Sequence, residues 1–486
     1  MRLLACFLLI FAAGPLAAAD LTPSVLALAD RPVLRGTSWA AAAAYTDGEE
    51  IFSLQPDLRL APASALKLLT SAAALETFGP FHRFETQIYA DGAADENGVL
   101  HGNLYIRGGG DPTLGSARVT GRPAWPQLLE SWSQKIRRAG IKQITGNIYG
   151  DISLFSGPSL PGKFNWQNIG NYFAAPATAL AFNDNSFVIT FSPQPLDGAP
   201  VEVASFSPET EGLKIRSFVT ASEKNRRDNA YVYAAPNQYD LEIYGTVPTA
   251  SLRGLTIRAA LPDAPQLLLD LWQQQLEKDG VRIGGSGILL EHAPDYAAMN
   301  LLFTHQSPPL KDILYIVNKR SFNFYAEMLL RMLAVQAGKT GSVEEGIEQL
   351  YAFLNKNGID TANVLIYDGS GLSRDNQITA RTLLDVLSLM STSPYFSYYY
   401  DSLATPDDRG DLILLRRFLR PFKRTQDVHV KGGTIDGVKA QAGYIKDKNG
   451  RLITFAFMAN NLPDKSEDIN RFYEALIKLL LQQPQP

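Results

Sequence analysis

Ser64-Ala65-Leu66-Lys67 is the sole Ser-x-x-Lys in this chain of 486 residues. At the start of a helix, residues three apart share a face, so a lysine amine at 67 reaches a serine hydroxyl at 64. A lysine held in an apolar helix is desolvated, which disfavours its charged form and lowers its pKa. An amine that is neutral part of the time accepts the serine proton, and the hydroxyl becomes a nucleophile without a histidine. The helix N-terminus adds N–H groups aimed at the reacting centre. The bland reading of the same residues is an incidental serine beside a snorkelling lysine.

Ser321-Phe322-Asn323 is the sole Ser-x-Asn. Its hydroxyl can relay a proton between Lys67 and a leaving amine, and its amide can orient the lysine and bind a peptide. Helix capping explains both residue types equally well. Lys431-Gly432-Gly433-Thr434 follows the apparent strand Val428-His429-Val430. A cation there can hold a carboxylate, and glycines let a substrate backbone lie against the strand edge. Taken alone, the segment reads as an exposed lysine before a Gly-Gly turn.

These residues need elements to hold them. Ser38–Tyr45 and Glu50–Leu54 read as strands joined by an Asp47-Gly48 turn. An Ala/Leu-rich helix is expected over 64–78, with Gly79 and Pro80 ending it. It is apolar nearly all round, so it should be buried. From about 84 to 290, short β-like runs alternate with Gly, Pro, Asn and Asp clusters, with helices near 124–139 and 264–279. Helical periodicity returns over 309–319, 322–336, 343–356 and 379–390. Strands at 428–431, 438–446 and 451–460 follow, the last two joined at Asn449-Gly450, and a final amphipathic helix covers about 466–482. Helix-rich sequence with a terminal antiparallel meander indicates an α+β fold, and the N-terminal hairpin could complete the sheet.

The order Ser-x-x-Lys, Ser-x-Asn, Lys-x-Gly resembles the active site of penicillin-binding proteins and serine β-lactamases. The long gap between Ser64 and Ser321 narrows the resemblance to the class C low-molecular-mass penicillin-binding proteins, the D-alanyl-D-alanine carboxypeptidase/endopeptidase family (penicillin-binding protein 4-like). The stretches 104–114, 146–151, Ala181-Phe182-Asn183-Asp184-Asn185 and Asp368-Gly369-Ser370-Gly371-Leu372-Ser373-Arg374 are similar to that family as well. The resemblance implies a split transpeptidase/serine β-lactamase-like domain with β-rich domains inserted between the first and second motifs. The expected boundaries are 20–83 and 290–486 for that domain. The insert, 84–289, divides into about 84–180 with 250–289, and about 181–249.

The resemblance also implies roles. Ser64 is the nucleophile, Lys67 the base, Ser321 the proton relay and Asn323 the positioner. Lys431 and Thr434 hold the substrate carboxylate, with Gly432 and Gly433 beside them. The N–H groups of Ser64 and Thr434 form the oxyanion hole. Asp151 is the candidate for the free amino end of a diaminopimelate side chain, although it and Asp111 read more simply as turn formers. At the third motif the family usually has Lys-Thr-Gly-Thr or Lys-Thr-Gly-Ser. Gly432 replaces the first Thr, which removes a hydroxyl from carboxylate recognition. Expected partners are peptidoglycan stem peptides, with β-lactams as inhibitors; no cofactor or metal is implied. Two alternatives remain open: a β-lactamase-like hydrolase, and a non-catalytic peptidoglycan-binding scaffold in which Gly432 marks decay.

Bulk properties agree. Net charge is −4, and the short basic run Lys224–Arg227 is followed at once by Asp228, which argues against nucleic acid. Arg2, the apolar run Leu3–Ala13 and Ala17-Ala18-Ala19 read as a signal peptide over 1–19, hence a periplasmic or secreted protein with no transmembrane anchor after cleavage. Cys6, the one cysteine, leaves with it, and five scattered histidines offer no zinc-ligand spacing.

Overall fold

The computed structural model describes residues 20–250, 253–408, 416–417, 419–463 and 466–482. The signal-peptide reading of 1–19 lies outside the described residues.

The fold centres on an antiparallel sheet in the order Val428–Ile435, Val438–Lys446, Leu452–Asn460, Ser38–Tyr45, Glu50–Leu54. The N-terminal hairpin does complete the sheet, with Ser38 opposite Asn460 and Tyr45 opposite Ile453. Successive side chains of a strand face opposite sides. Ala40 and Ala42 therefore join one apolar core, and Ala41, Ala43 and Tyr45 another. The first core is built with the helices Lys67–Phe78, Asn323–Gln336 and Ala380–Ser391. The second is closed by Thr22–Ala29 and Ser466–Leu481. Ala40 and Ala42 of Ser38–Tyr45, with Ala456 of the neighbouring central strand, let the Ala380–Ser391 helix lie close against the sheet.

The Lys67–Phe78 helix is buried from Lys67 through Leu75. Gly79 ends it at φ +76°, its N–H bonded to the Leu75 carbonyl, a conformation that only glycine takes without strain. The expected start at Ser64 is refined: residues Ala63–Leu66 form a 3-10 turn, and regular helix begins at Lys67.

The inserted region has its own apolar core around Trp132 and Trp272, which meet edge to face at 5.5 Å. Two expected boundaries need correction. Strand Asn300–Gln306, assigned by a limit at 290 to the returning catalytic segment, pairs with Glu85–Ala90 at the edge of the inserted sheet. Strand Thr256–Ala260, expected to join the 84–180 unit, pairs instead with Ser186–Phe191. Both errors have one cause: periodicity identifies a strand without identifying its partner. Among the described residues, no helix is long and apolar enough to cross a membrane.

Candidate active site

Ser64 sits in the 3-10 turn just after Ala63, whose φ of +46° is unusual for a non-glycine residue. The turn delivers the Ser64 hydroxyl to Lys67, whose Nζ lies 3.0 Å from Ser64 Oγ. The same Nζ donates to Asn323 Oδ1 at 2.7 Å and to the Ser370 carbonyl at 2.6 Å. An ammonium at Nζ would donate in all three contacts. A neutral amine has two N–H groups and one lone pair. In that form, with Asn323 and Ser370 accepting the N–H groups, the lone pair is left facing Ser64 Oγ. Burial favours this form: desolvation pulls the Lys67 pKa down to about 7, against the opposing pull of Asp368 and Glu327.

Asn323 opens the helix Asn323–Gln336 and is held at both ends of its amide. Nδ2 donates to the Phe173 carbonyl at 2.7 Å, which turns Oδ1 toward Lys67. Ser321 stands just before that helix at φ +53°. Such a backbone costs about 1–3 kcal/mol, and it persists only where its surroundings fix it. Its Oγ accepts from Lys431 Nζ at 2.9 Å, and Nζ also donates to the Gly432 carbonyl at 2.7 Å. The contact seen for Ser321 is thus with Lys431 rather than Lys67.

Lys431 is buried, and Gly432, Gly433 and Thr434 continue its strand to Ile435. The alternative of an exposed lysine before a turn is therefore wrong. The strand is the sheet's edge. At Val430 both backbone groups face outward and bond Ala404. Backbone groups of an antiparallel strand alternate sides, so those of Gly432 and Thr434 also face outward, toward the site. A Cβ on Gly433 would lie 2.7 Å from the Pro62 carbonyl oxygen and 2.9 Å from the Ser64 nitrogen, so only glycine brings strand and serine turn this close. A Cβ on Gly432 would meet nothing within 4 Å.

Ser64, Ser321, Asn323 and Thr434 line one cavity of about 850 Å³. Arg374 and the Lys163–Asp375 ion pair (3.4 Å) lie on the same cavity. Asp151 does not line it. This carboxyl is buried at a strand end, where Oδ2 accepts from the Tyr296 hydroxyl at 2.7 Å and Oδ1 from the Ser153 N–H at 2.8 Å. It forms a turn and an internal bond, so the amine-recognition role is withdrawn.

Three contributors were not singled out from sequence. Ser370 supplies the carbonyl that holds Lys67. Asp368 shapes that loop: Oδ1 accepts from the N–H groups of Ser370 (3.1 Å) and Gly371 (2.6 Å), and Oδ2 from Ser373 N–H (2.7 Å) and Asn376 Nδ2 (3.0 Å). Glu327, one helical turn after Asn323, accepts from Gly369 N–H at 3.0 Å. Burial and the Asp368 charge push the Glu327 carboxyl up to about 7. The available signals were the aspartate followed by glycines and serines, a pattern that favours backbone-bonding turns, and the i+4 spacing from Asn323.

A serine within hydrogen-bond reach of a buried lysine, on an α+β core and facing a Lys-Gly-Gly strand edge, is the arrangement expected of the penicillin-binding class. The sequence profile of the D-Ala-D-Ala carboxypeptidase 3 (S13) family matches residues 23–481, and the chain belongs to that family. The D-alanyl-D-alanine carboxypeptidase of Actinomadura sp. (strain R39) is 28% identical over 444 residues, covering 89% of this chain and 80% of the relative. The crystal structure of penicillin binding protein 4 from Haemophilus influenzae, 23% identical, matches with a TM-score of 0.80 over 94% of this chain and 99% of the other. A second structure of that protein, complexed with a β-lactam, matches with a TM-score of 0.75.

Proposed function

We propose that this serine-type D-Ala-D-Ala carboxypeptidase trims peptidoglycan stem peptides outside the cytoplasm through an acyl-enzyme on Ser64. The observation that carries this reading is the trio of contacts at Lys67, which leaves a neutral amine no direction for its lone pair except Ser64 Oγ. Lys67 takes the Ser64 proton as Oγ attacks the carbonyl of the penultimate D-Ala. The negative charge on the tetrahedral oxygen is met by the N–H groups of Ser64 and Thr434. The C–N bond breaks, and the leaving amine receives the proton that Lys67 took from Ser64, relayed by the Ser321 hydroxyl. Asn323 holds Lys67 and the substrate amide. Lys431 and Thr434 attract the terminal carboxylate. Water then hydrolyses the ester and regenerates Ser64. No step calls for a metal or organic cofactor.

The packed contacts around Lys67 speak against a decayed scaffold. A penicillin, whose strained amide mimics the scissile bond, should acylate the same serine. Intact-mass analysis after incubation with a penicillin is expected to show one added drug mass on the Ser64 peptide. Labelling that persists in Ser64→Ala would defeat the assignment.

A further inference from the structure

Beside the cavity at Ser64 lies a second one of about 570 Å³, and the two share Tyr172, Phe173 and Tyr231. The shared wall also supports the reacting centre, because the Phe173 carbonyl fixes the Asn323 amide. Two arginines, Arg118 and Arg258, line the second cavity. Arg118 is committed: Nε donates to Asp184 Oδ2 at 2.8 Å, and the guanidinium lies 4.0 Å over the ring of Phe322, the middle residue of the second motif. Asp184 is buried and also accepts the Tyr325 hydroxyl at 3.0 Å. Its charge is therefore already used.

Arg258 is different. It stands on the strand Thr256–Ala260 opposite Val188, half-buried. Among the described residues, its guanidinium shows no hydrogen bond or ion pair. Burial and the neighbouring Arg118 charge hold its pKa below the ordinary arginine value, and the Asp184 carboxylate and Tyr172 oppose them only in part. Asp228 reaches this cavity only from an exposed loop. The Arg118–Asp184 pair compensates one of the two cations, which leaves the half-buried Arg258 guanidinium with donors that an anion can satisfy. A carboxylate fits best, because its two oxygens match the guanidinium fork.

We propose that the second cavity is a subsite for a carboxylate of the stem peptide, held by Arg258 with Arg118 beside it, while the D-Ala-D-Ala end lies at Ser64. This rests on the peptidoglycan reading above. Such a peptide can offer a carboxylate from two sources: the α-carboxyl of a γ-linked glutamate, or the side-chain carboxyl of a diamino acid.

The test is calorimetric binding to full-length Ser64→Ala protein, which cannot turn the peptides over. The probes are a stem pentapeptide with both carboxyls free, one amidated at glutamate, and one amidated at the diamino-acid side chain. One of the two amides should bind about tenfold more weakly than the free acid, and which one identifies the source. Adding Arg258→Ala should bring that acid-to-amide ratio within about twofold. Arg258→Lys, which keeps the charge and loses the fork, should leave an intermediate ratio and guards against misfolding of the alanine variant. Equal binding of all three peptides would overturn the proposal, as would a full acid preference that survives both Arg258 variants. Penicillin labelling of wild-type Ser64 judges the functional reading separately, so a protein that labels and shows no acid preference refutes the subsite alone.

Discussion

The two sides of Ser64 are built differently. On the helix side, Lys67 is buried and each contact is secured from behind: Asn323 by Phe173, and the Ser370 carbonyl by Asp368 and Glu327. On the strand side, Lys431 touches Ser321, and then the edge opens: Gly432 has free space beside it and Thr434 is exposed. The closed side suits the base role proposed for Lys67, which needs exclusion of water and fixed acceptors. The open side must admit and release a peptide. Substitutions on the closed side should therefore damage the chemistry, and those on the open side should adjust recognition.

The largest expected effect is at Lys67. Guanidinium stays protonated and cannot act as the base, so Lys67→Arg should slow acylation by about 10²–10⁴-fold, the range of general-base contributions. Stopped-flow acylation by a chromogenic β-lactam measures it; a near-normal rate would place the base elsewhere. Next is the pair of glycines. Gly433→Ala inserts a methyl against Pro62 and the Ser64 nitrogen, and the displaced serine turn should cost about 10²-fold in acylation. Gly432→Ala, made in parallel, should change the rate by no more than about threefold, because its Cβ points into open space. Similar rates for the two variants would erase the contrast between the sides.

Glu327→Gln tests the back of the closed side. Removing a carboxylate makes protonated Lys67 less stable, so its pKa falls and the rising limb of the pH–rate profile moves to lower pH. The shift is smaller than loss of a full charge would give, because burial leaves Glu327 partly protonated near pH 7. An unmoved limb in a folded variant would mean that Glu327 acts only as a hydrogen-bond acceptor for Gly369. The only expected gain is at Gly432. A threonine hydroxyl can bond the substrate carboxylate, a bond worth roughly 1.5–3 kcal/mol, and the free space beside Gly432 accommodates its Cβ. Gly432→Thr should raise kcat/KM for a diacyl-Lys-D-Ala-D-Ala peptide by about tenfold. An unchanged value would show that Lys431 and Thr434 already suffice.

Legibility followed the same divide. The helix over Lys67–Phe78 and the strands Ser38–Tyr45 and Val438–Lys446 were readable because apolar runs end at clear turn or stop residues, Gly79-Pro80, Asp47-Gly48 and Asn449-Gly450. The strand Val428–Ile435 was read only to Lys431, since Gly-Gly signals a turn and nothing local reveals that an edge strand continues through it. The helix Thr22–Ala29 was missed; it is two turns long and has Pro23 in its first turn. At the site, Ser64, Lys67, Ser321, Asn323 and Lys431 were named from motif spacing, which encodes local geometry. Glu327, Asp368 and Ser370 were not, because their contribution depends on a loop folding back across some 300 residues to reach Lys67. For Asp151 the structure supports the turn-former reading over the role implied by the resemblance, since its carboxyl bonds the Ser153 N–H and the distant Tyr296 hydroxyl.

The most direct test of the whole account is the pH dependence of Ser64 acylation under single-turnover conditions, between about pH 5 and 10. The fraction of neutral Lys67 grows as pH rises through its pKa, so the rate should climb with a midpoint near the depressed value of about 7 and level off above it. A midpoint near the ordinary lysine value of ~10.4, or a rate independent of pH across this range, would contradict the claim that a desolvated, neutral Lys67 takes the serine proton.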